Sequence, residues 1–214
     1  MELARLGAIS VIALVILTGC AASPDADSVA TTPSSSPTPQ PTPTIDPGPV
    51  ALSVEDAGIR YLGIVCQRNG ANEALNQAFA AGEETYLNGG DADPTAVKAA
   101  AAESLRVNSV QIALFDDGYY TWPEGVDVHV RAVRDASMKA TSMYDSIANA
   151  SSYAAAYNVA VVDDPAAAQA AQEIRYQLQL SPDTTASCVG YETAADALHA
   201  EMTERNEYLA SFDN

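Results

Sequence analysis

The sequence predicts an all-α protein: an up-and-down helical bundle with extra short helices, preceded by a disordered Pro/Thr-rich tether. Three observations predict it. Apolar residues recur at alternating spacings of three and four through most of residues 53–214. The prolines of that stretch (Pro94, Pro123, Pro165 and Pro182) fall at the edges of periodic segments and never inside one. Many seam positions are Ala or Ser, small enough for helices to approach closely, and 41 of the 214 residues are Ala.

A first helix starts near Ser53, with Ile59, Leu62 and Cys66 on one face; Asn69-Gly70 either ends or bends it, and Leu75, Phe79, Gly82 and Tyr86 continue in register. A second starts at Asp93-Pro94, an N-cap followed by a first helical position where a missing N–H is harmless. Its stripe is Val97, Ala101, Leu105, Asn108, Ile112 and Phe115, and Asp117-Gly118 ends it. The third is the cleanest, with Val126, Val130, Val133, Ser137, Ala140, Tyr144 and Ile147 in strict four–three alternation. A short connection between the second and third predicts antiparallel neighbours. A short helix follows from Ser151. Another starts at Pro165 and carries Ala167, Ala171, Ile174 and Leu178, and a last one carries Tyr191, Ala195, Leu198, Met202 and Leu209. Asn158–Val162 is the one apolar run with a strand alternative.

Upstream of the bundle, residues 20–52 read as a linker. Ala21–Leu52 holds eight of the twelve prolines with Ser, Thr, Asp and Ala, and no aromatic or basic residue. Such composition cannot bury enough apolar surface to offset its ordering entropy. At about 3.1 Å per residue in polyproline II it reaches on the order of 100 Å. Glycosylation of the Thr-Pro run and docking to proline-reading domains are alternative uses.

Residues 1–19 read as an export signal. Arg5 precedes an apolar run, Leu6–Leu17, of 12 residues, or roughly 18 Å as a helix, against about 30 Å of hydrocarbon core. The run ends in Leu17-Thr18-Gly19-Cys20, which resembles the lipobox of bacterial lipoproteins. The resemblance covers the N-terminus only. It implies cleavage before Cys20 and acylation of its thiol, hence a lipid bilayer as the first partner and an anchor on the outer face of the cytoplasmic membrane. The other readings are a plain secretory signal and a short membrane helix. Together the lipobox, the Thr-Pro tether and the Ala-rich acidic domain resemble surface lipoproteins of high-GC Gram-positive bacteria.

With Cys20 assigned to lipid, Cys66 and Cys188 remain, and two cysteines in an exported domain usually pair. Two buried free thiols are the alternative.

The formal charge is −18, and residues 53–214 carry 24 acids against nine bases. Generic binding to nucleic acid or anionic lipid is excluded, because the phosphate term needs a basic patch. Glu192, Asp196 and His199 are weak candidates for metal ligands, offering O, O and N from one helical face; a solvated acidic face is the plainer reading. His129, at the edge of the third stripe, reads as a partly buried side chain. Asp116, Asp117, Tyr119, Tyr120 and Trp122 form the most distinctive loop, a possible binding surface for sugars or cations. Alternatively, Trp122 and a Tyr plug the end of the bundle. Motifs for nucleophilic catalysis are missing from the sequence, no phosphate-cradling loop occurs, and no cofactor is called for. The expectation is a non-enzymatic binding or scaffolding protein of the cell envelope, its partner an envelope protein, a wall polymer or a cationic ligand. A metal- or cationic-solute-binding module is the alternative, and a carboxylate-pair enzyme is less favoured.

Overall fold

The computed structural model describes residues 48–161 and 164–211. The export signal, Cys20 and the tether through Pro47 lie outside the described residues. The fold is all-α, with α1 (Val54–Leu87), α2 (Thr95–Phe115), α3 (Val126–Ala148), α4 (Tyr153–Tyr157), α5 (Pro165–Gln177) and α6 (Ala194–Ala210). Two-residue strands β1 (Val50–Ala51) and β2 (Tyr120–Thr121) pair in parallel.

Local chemistry starts the helices where the sequence places them. The Ser53 hydroxyl accepts from the Asp56 N–H and donates to its carboxylate, capping α1. Asp93 Oδ1 accepts from both the N–H and the hydroxyl of Thr95, so the cap of α2 is an Asp-led turn with Pro94 just outside the helix. The Asp164 carboxylate accepts from the Ala167 N–H, with Pro165 opening α5. Asn69-Gly70 neither ends nor visibly interrupts α1, which runs 34 residues, or about 51 Å. Buried side chains on both sides of that pair, Gln67 and Ala71, hold the helix together there.

α1, α2 and α3 run up, down and up through connectors of seven and ten residues. α5 packs on α3, and α6 lies against α1 and α2. Two apolar clusters fill the length of the bundle. One gathers Tyr61, Ile64, Leu114, Val130 and Ile174, and the other Leu75, Val97, Ala101, Tyr144 and Tyr153. Buried amides lie in the same α2–α3 seam: Asn108 Nδ2 donates to the Ser137 carbonyl at 2.9 Å, and Gln111 Nε2 to the Ser137 hydroxyl at 2.8 Å. The small seam residues set close approach, since a Cβ at Gly82 would stand 2.5 Å from the Tyr153 ring.

All seven expected α3 seam residues are buried. In the other helices most expected positions are also buried, Leu62, Cys66, Val97, Ala101, Phe115 and Ile174 among them, and a few are displaced. Ile59 is 51% exposed, while Ala57, Arg60, Tyr61 and Ile64 face inward. Leu105 and Ile112 are half-buried, and Val107 and Leu114 take the core positions. Tyr191 precedes α6 instead of opening it. The strand alternative at Asn158–Val162 fails in its described part. Asn158 caps the end of α4 by donating Nδ2 to the Ala154 carbonyl, and residues 159–161 form no ladder. The strands lie instead at Val50–Ala51 and Tyr120–Thr121, so the folded chain begins before Ser53 and takes in the last residues assigned to the linker. Cys66 and Cys188 are joined as a disulfide that ties α1 to the loop before α6. Arg175, buried on α5, shapes that loop by donating to the Ser181 carbonyl and the Ser187 hydroxyl. Among the described residues, no helix is long and apolar enough to cross a membrane.

Candidate functional site

The turn after α2 is the structural centre of the molecule's charged chemistry. Asp116 ends the helix, its N–H donating to the Ile112 carbonyl. Asp117 then turns inward until its side chain is 3% exposed. Its two oxygens accept from two arginines brought by different helices: Arg60 of α1 at 2.8 Å and Arg205 of α6 at 2.7 Å. The Tyr119 N–H adds a third bond at 3.2 Å. Burying three charges is costly unless each is paired and hydrogen-bonded. Here one carboxylate serves two guanidiniums, which leaves one formal positive charge in the trio.

The two tyrosines of the turn meet that surplus. Arg60 stacks 3.9 Å from the Tyr120 ring centre, and Arg205 4.1 Å from that of Tyr119. The rings themselves meet edge to face at 4.8 Å. A ring face attracts a cation by about 0.5–2 kcal/mol, more where water is excluded. Nε and Nη1 of Arg205 have no hydrogen-bond acceptor, so the ring stacked over that guanidinium is its main compensation there. Burial pulls the Arg60 pKa below its ordinary value, with Asp117 opposing. The Tyr120 hydroxyl donates to Glu201 at 3.1 Å, and burial, then that carboxylate, raises its pKa.

Two open clefts flank this cluster. An apolar cleft of about 510 Å³ runs between α1, β1 and α6; Leu52, Ile59, Tyr191 and Leu198 line it, with Asp56, Arg60, Tyr120 and Glu201 as its polar groups. A more polar cleft of about 520 Å³ lies on the other side of the strands, lined by Pro49, Asp117, Tyr119, Met202 and Asn206.

The distinctive loop is therefore divided among three jobs. Asp117, Tyr119 and Tyr120 form the buried cluster and reach the clefts. Asp116 is held on the surface by Arg134, with two contacts at 2.8 and 2.9 Å. Trp122 is partly buried against the core, 6.4 Å from the Phe115 ring, and so plugs the bundle end. Both carboxylates expected to attract cations are thus occupied by arginine.

Glu192, Asp196 and His199 are not assembled into a ligand set. Glu192 lies before α6 and accepts from the Gly190 N–H. Asp196 accepts from Arg106 at 2.7 Å and Gln67 at 2.7 Å, and the Arg106 bonds are the main reason its pKa is lowered. Among the described residues no group of three His, Cys, Asp or Glu is placed to hold a metal ion. His129 is half-buried.

Sequence reasoning missed Arg60 and Arg205. Arg205 had a readable signal: it occupies the slot three after Met202 and four before Leu209 in the α6 stripe, a cation where an apolar residue is expected. Arg60 stands among Ala57, Tyr61 and Ile64 in the same way. No protein-family model matches the chain, and no curated protein or solved structure does either.

Proposed function

We propose that this is a lipid-anchored, extracytoplasmic binding protein without enzymatic activity, tethered through Cys20 and engaging a component of the cell envelope in the apolar cleft between α1, β1 and α6. One observation carries the reading. The cleft of about 510 Å³ combines an apolar lining with a few polar groups, two of which (Arg60 and Tyr120) are fixed by the buried cluster beneath. Preformed apolar concavities with few, rigid polar groups are the usual architecture of ligand sites. The sequence adds the address, since Leu17-Thr18-Gly19-Cys20 resembles a lipobox and the Pro-rich segment leads into β1 at the cleft's edge.

Recovery on isolated wall material and membranes tests the cleft. Ile59 is half-exposed, so Ile59→Asp charges the lining without opening the core. Recovery should fall about tenfold, equivalent to roughly 1.4 kcal/mol. Equal recovery of Ile59→Asp and wild type would reject the site. Cys20→Ser tests the anchor: the protein should pass into the medium, and retention in the membrane fraction would refute lipid attachment.

A cationic-solute reading is favoured by a separate observation, that Asp56 and Glu201 line the same cleft. A polyamine or divalent ion bound by the native state must raise the melting temperature, and an unchanged value would remove this reading.

A further inference from the structure

The residues Gly48–Leu52 separate the two clefts. Gly48 and Pro49 wall the polar one, whereas Val50, Ala51 and Leu52 wall the apolar one. Two main-chain bonds bracket their short strand pairing: the Val50 N–H donates to the Tyr119 carbonyl at 2.7 Å and the Leu52 N–H to the Thr121 carbonyl at 3.0 Å. Pro49 and Ala51 are exposed, and Gly48, Val50 and Leu52 are half-buried. The floor beneath is of another kind. Arg60, Asp117 and Arg205 are buried, paired and stacked on Tyr119 and Tyr120, with no member drawn from the segment above. Stability therefore differs sharply across this contact. A short extended segment with exposed flanks opens locally at far lower cost than a packed core.

We infer that Gly48–Leu52 is a strap that opens while the bundle stays folded. Opening joins the two clefts into one trough along α6 and bares the Tyr119 and Thr121 carbonyls to an incoming ligand. The strap is also where the tether enters the fold, so the tether ends at the gate of the site. The inference rests on the apolar cleft being the ligand site, and it adds the device that controls access to it.

Hydrogen exchange on the full mature chain reads the strap without any ligand. The Val50 and Leu52 amides should exchange about a hundredfold faster than the Ile64 amide of α1. Equal rates would mean that the strap opens only by global unfolding, and would overturn the proposal. Two variants then read access to the trough, with anilinonaphthalene sulfonate as the apolar probe. Ala51→Cys with Thr121→Cys, register partners across the strands, locks the strap. Val50→Pro removes the N–H that donates to Tyr119. Probe fluorescence should be severalfold higher in Val50→Pro than in the locked protein; equal fluorescence in two fully helical variants would overturn the gate. If Val50→Pro does not reach native helix content, Gly48→Ala replaces it. Its Cβ would stand 2.8 Å from the Tyr119 ring at a φ of +74°, and its fluorescence carries the same two outcomes. Unchanged envelope recovery of Ile59→Asp alongside fast strap exchange would reject the ligand reading and leave the opening motion intact.

Discussion

Asp117 is the residue on which most of the described charge chemistry turns. It is buried, and it compensates two guanidiniums that are themselves 7% and 5% exposed. Removing the carboxylate leaves two buried cations with aromatic faces and no directly paired carboxylate, Glu201 acting on Arg60 only through space. Loss of one member of a buried pair costs about 3–5 kcal/mol, so Asp117→Ala should destabilise the protein by at least that much in urea melts. A measured loss below about 1 kcal/mol, the range of exposed pairs, would show that the cluster is wetter than its geometry implies. Asp116→Ala is the internal control. Its partner Arg134 is partly exposed, and the expected loss is below about 1 kcal/mol. Two adjacent aspartates in one turn thus differ several-fold in effect, and only their tertiary partners explain why. The sequence offers Asp116-Asp117 as equivalents. Arg60 and Arg205 lie 57 and 88 residues from Asp117, a separation that periodicity does not bridge.

At the scale of elements, the helices are legible because their determinants are local. The α3 stripe repeats Val, Ala and Tyr at four and three, and every member is buried. Ser53 and Asp164 announce α1 and α5 because a cap needs only the next three residues. The strands were not legible: Val50 pairs with Tyr120 across 70 residues, and two residues are too few for an alternation. The same locality makes element stability testable. Asp93 and Asp164 both have pKa values lowered in the folded state, Asp93 first by its bond with Thr95 and Asp164 first by Lys139. A depressed folded pKa gives stability that is present above the unfolded value, near 3.9, and lost as pH falls through the folded one. The melting temperature should therefore drop below about pH 4. Asp164→Asn keeps a capping oxygen but removes the titration, so its acid drop should be shallower than that of wild type. An identical pH profile would assign the acid loss to other carboxylates. In α1, Gly70 offers a positive change. No atom lies within 4 Å of a Cβ built there, so Gly70→Ala should raise stability by about 0.5–1 kcal/mol. A destabilising result would mean that α1 bends at Asn69-Gly70 in solution.

At the scale of the molecule, one covalent bond joins what the helical order leaves far apart. α6 packs on α1 and α2 although α3, α4, α5 and a long loop separate it from α2 in the chain. Its burial is modest, since Ala195 and Arg205 are its fully buried residues and Leu198 and Met202 only pack against the core. The Cys66–Cys188 bond fixes the loop before α6 to the middle of α1. It thereby limits how far Arg205 can withdraw from Asp117 in any partly unfolded state. Cross-linking residues 122 apart restricts the unfolded chain by roughly 4–5 kcal/mol in the chain-entropy model. Total stability of a domain this size is about 5–15 kcal/mol, so Cys66→Ala with Cys188→Ala should lower the urea midpoint severely. The loss should also be uneven. α6 and the cluster should exchange amide hydrogens faster, while the α2–α3 seam, which needs neither the bond nor α6, keeps its protection. Uniform deprotection across α2, α3 and α6 would instead make the bundle a single cooperative unit.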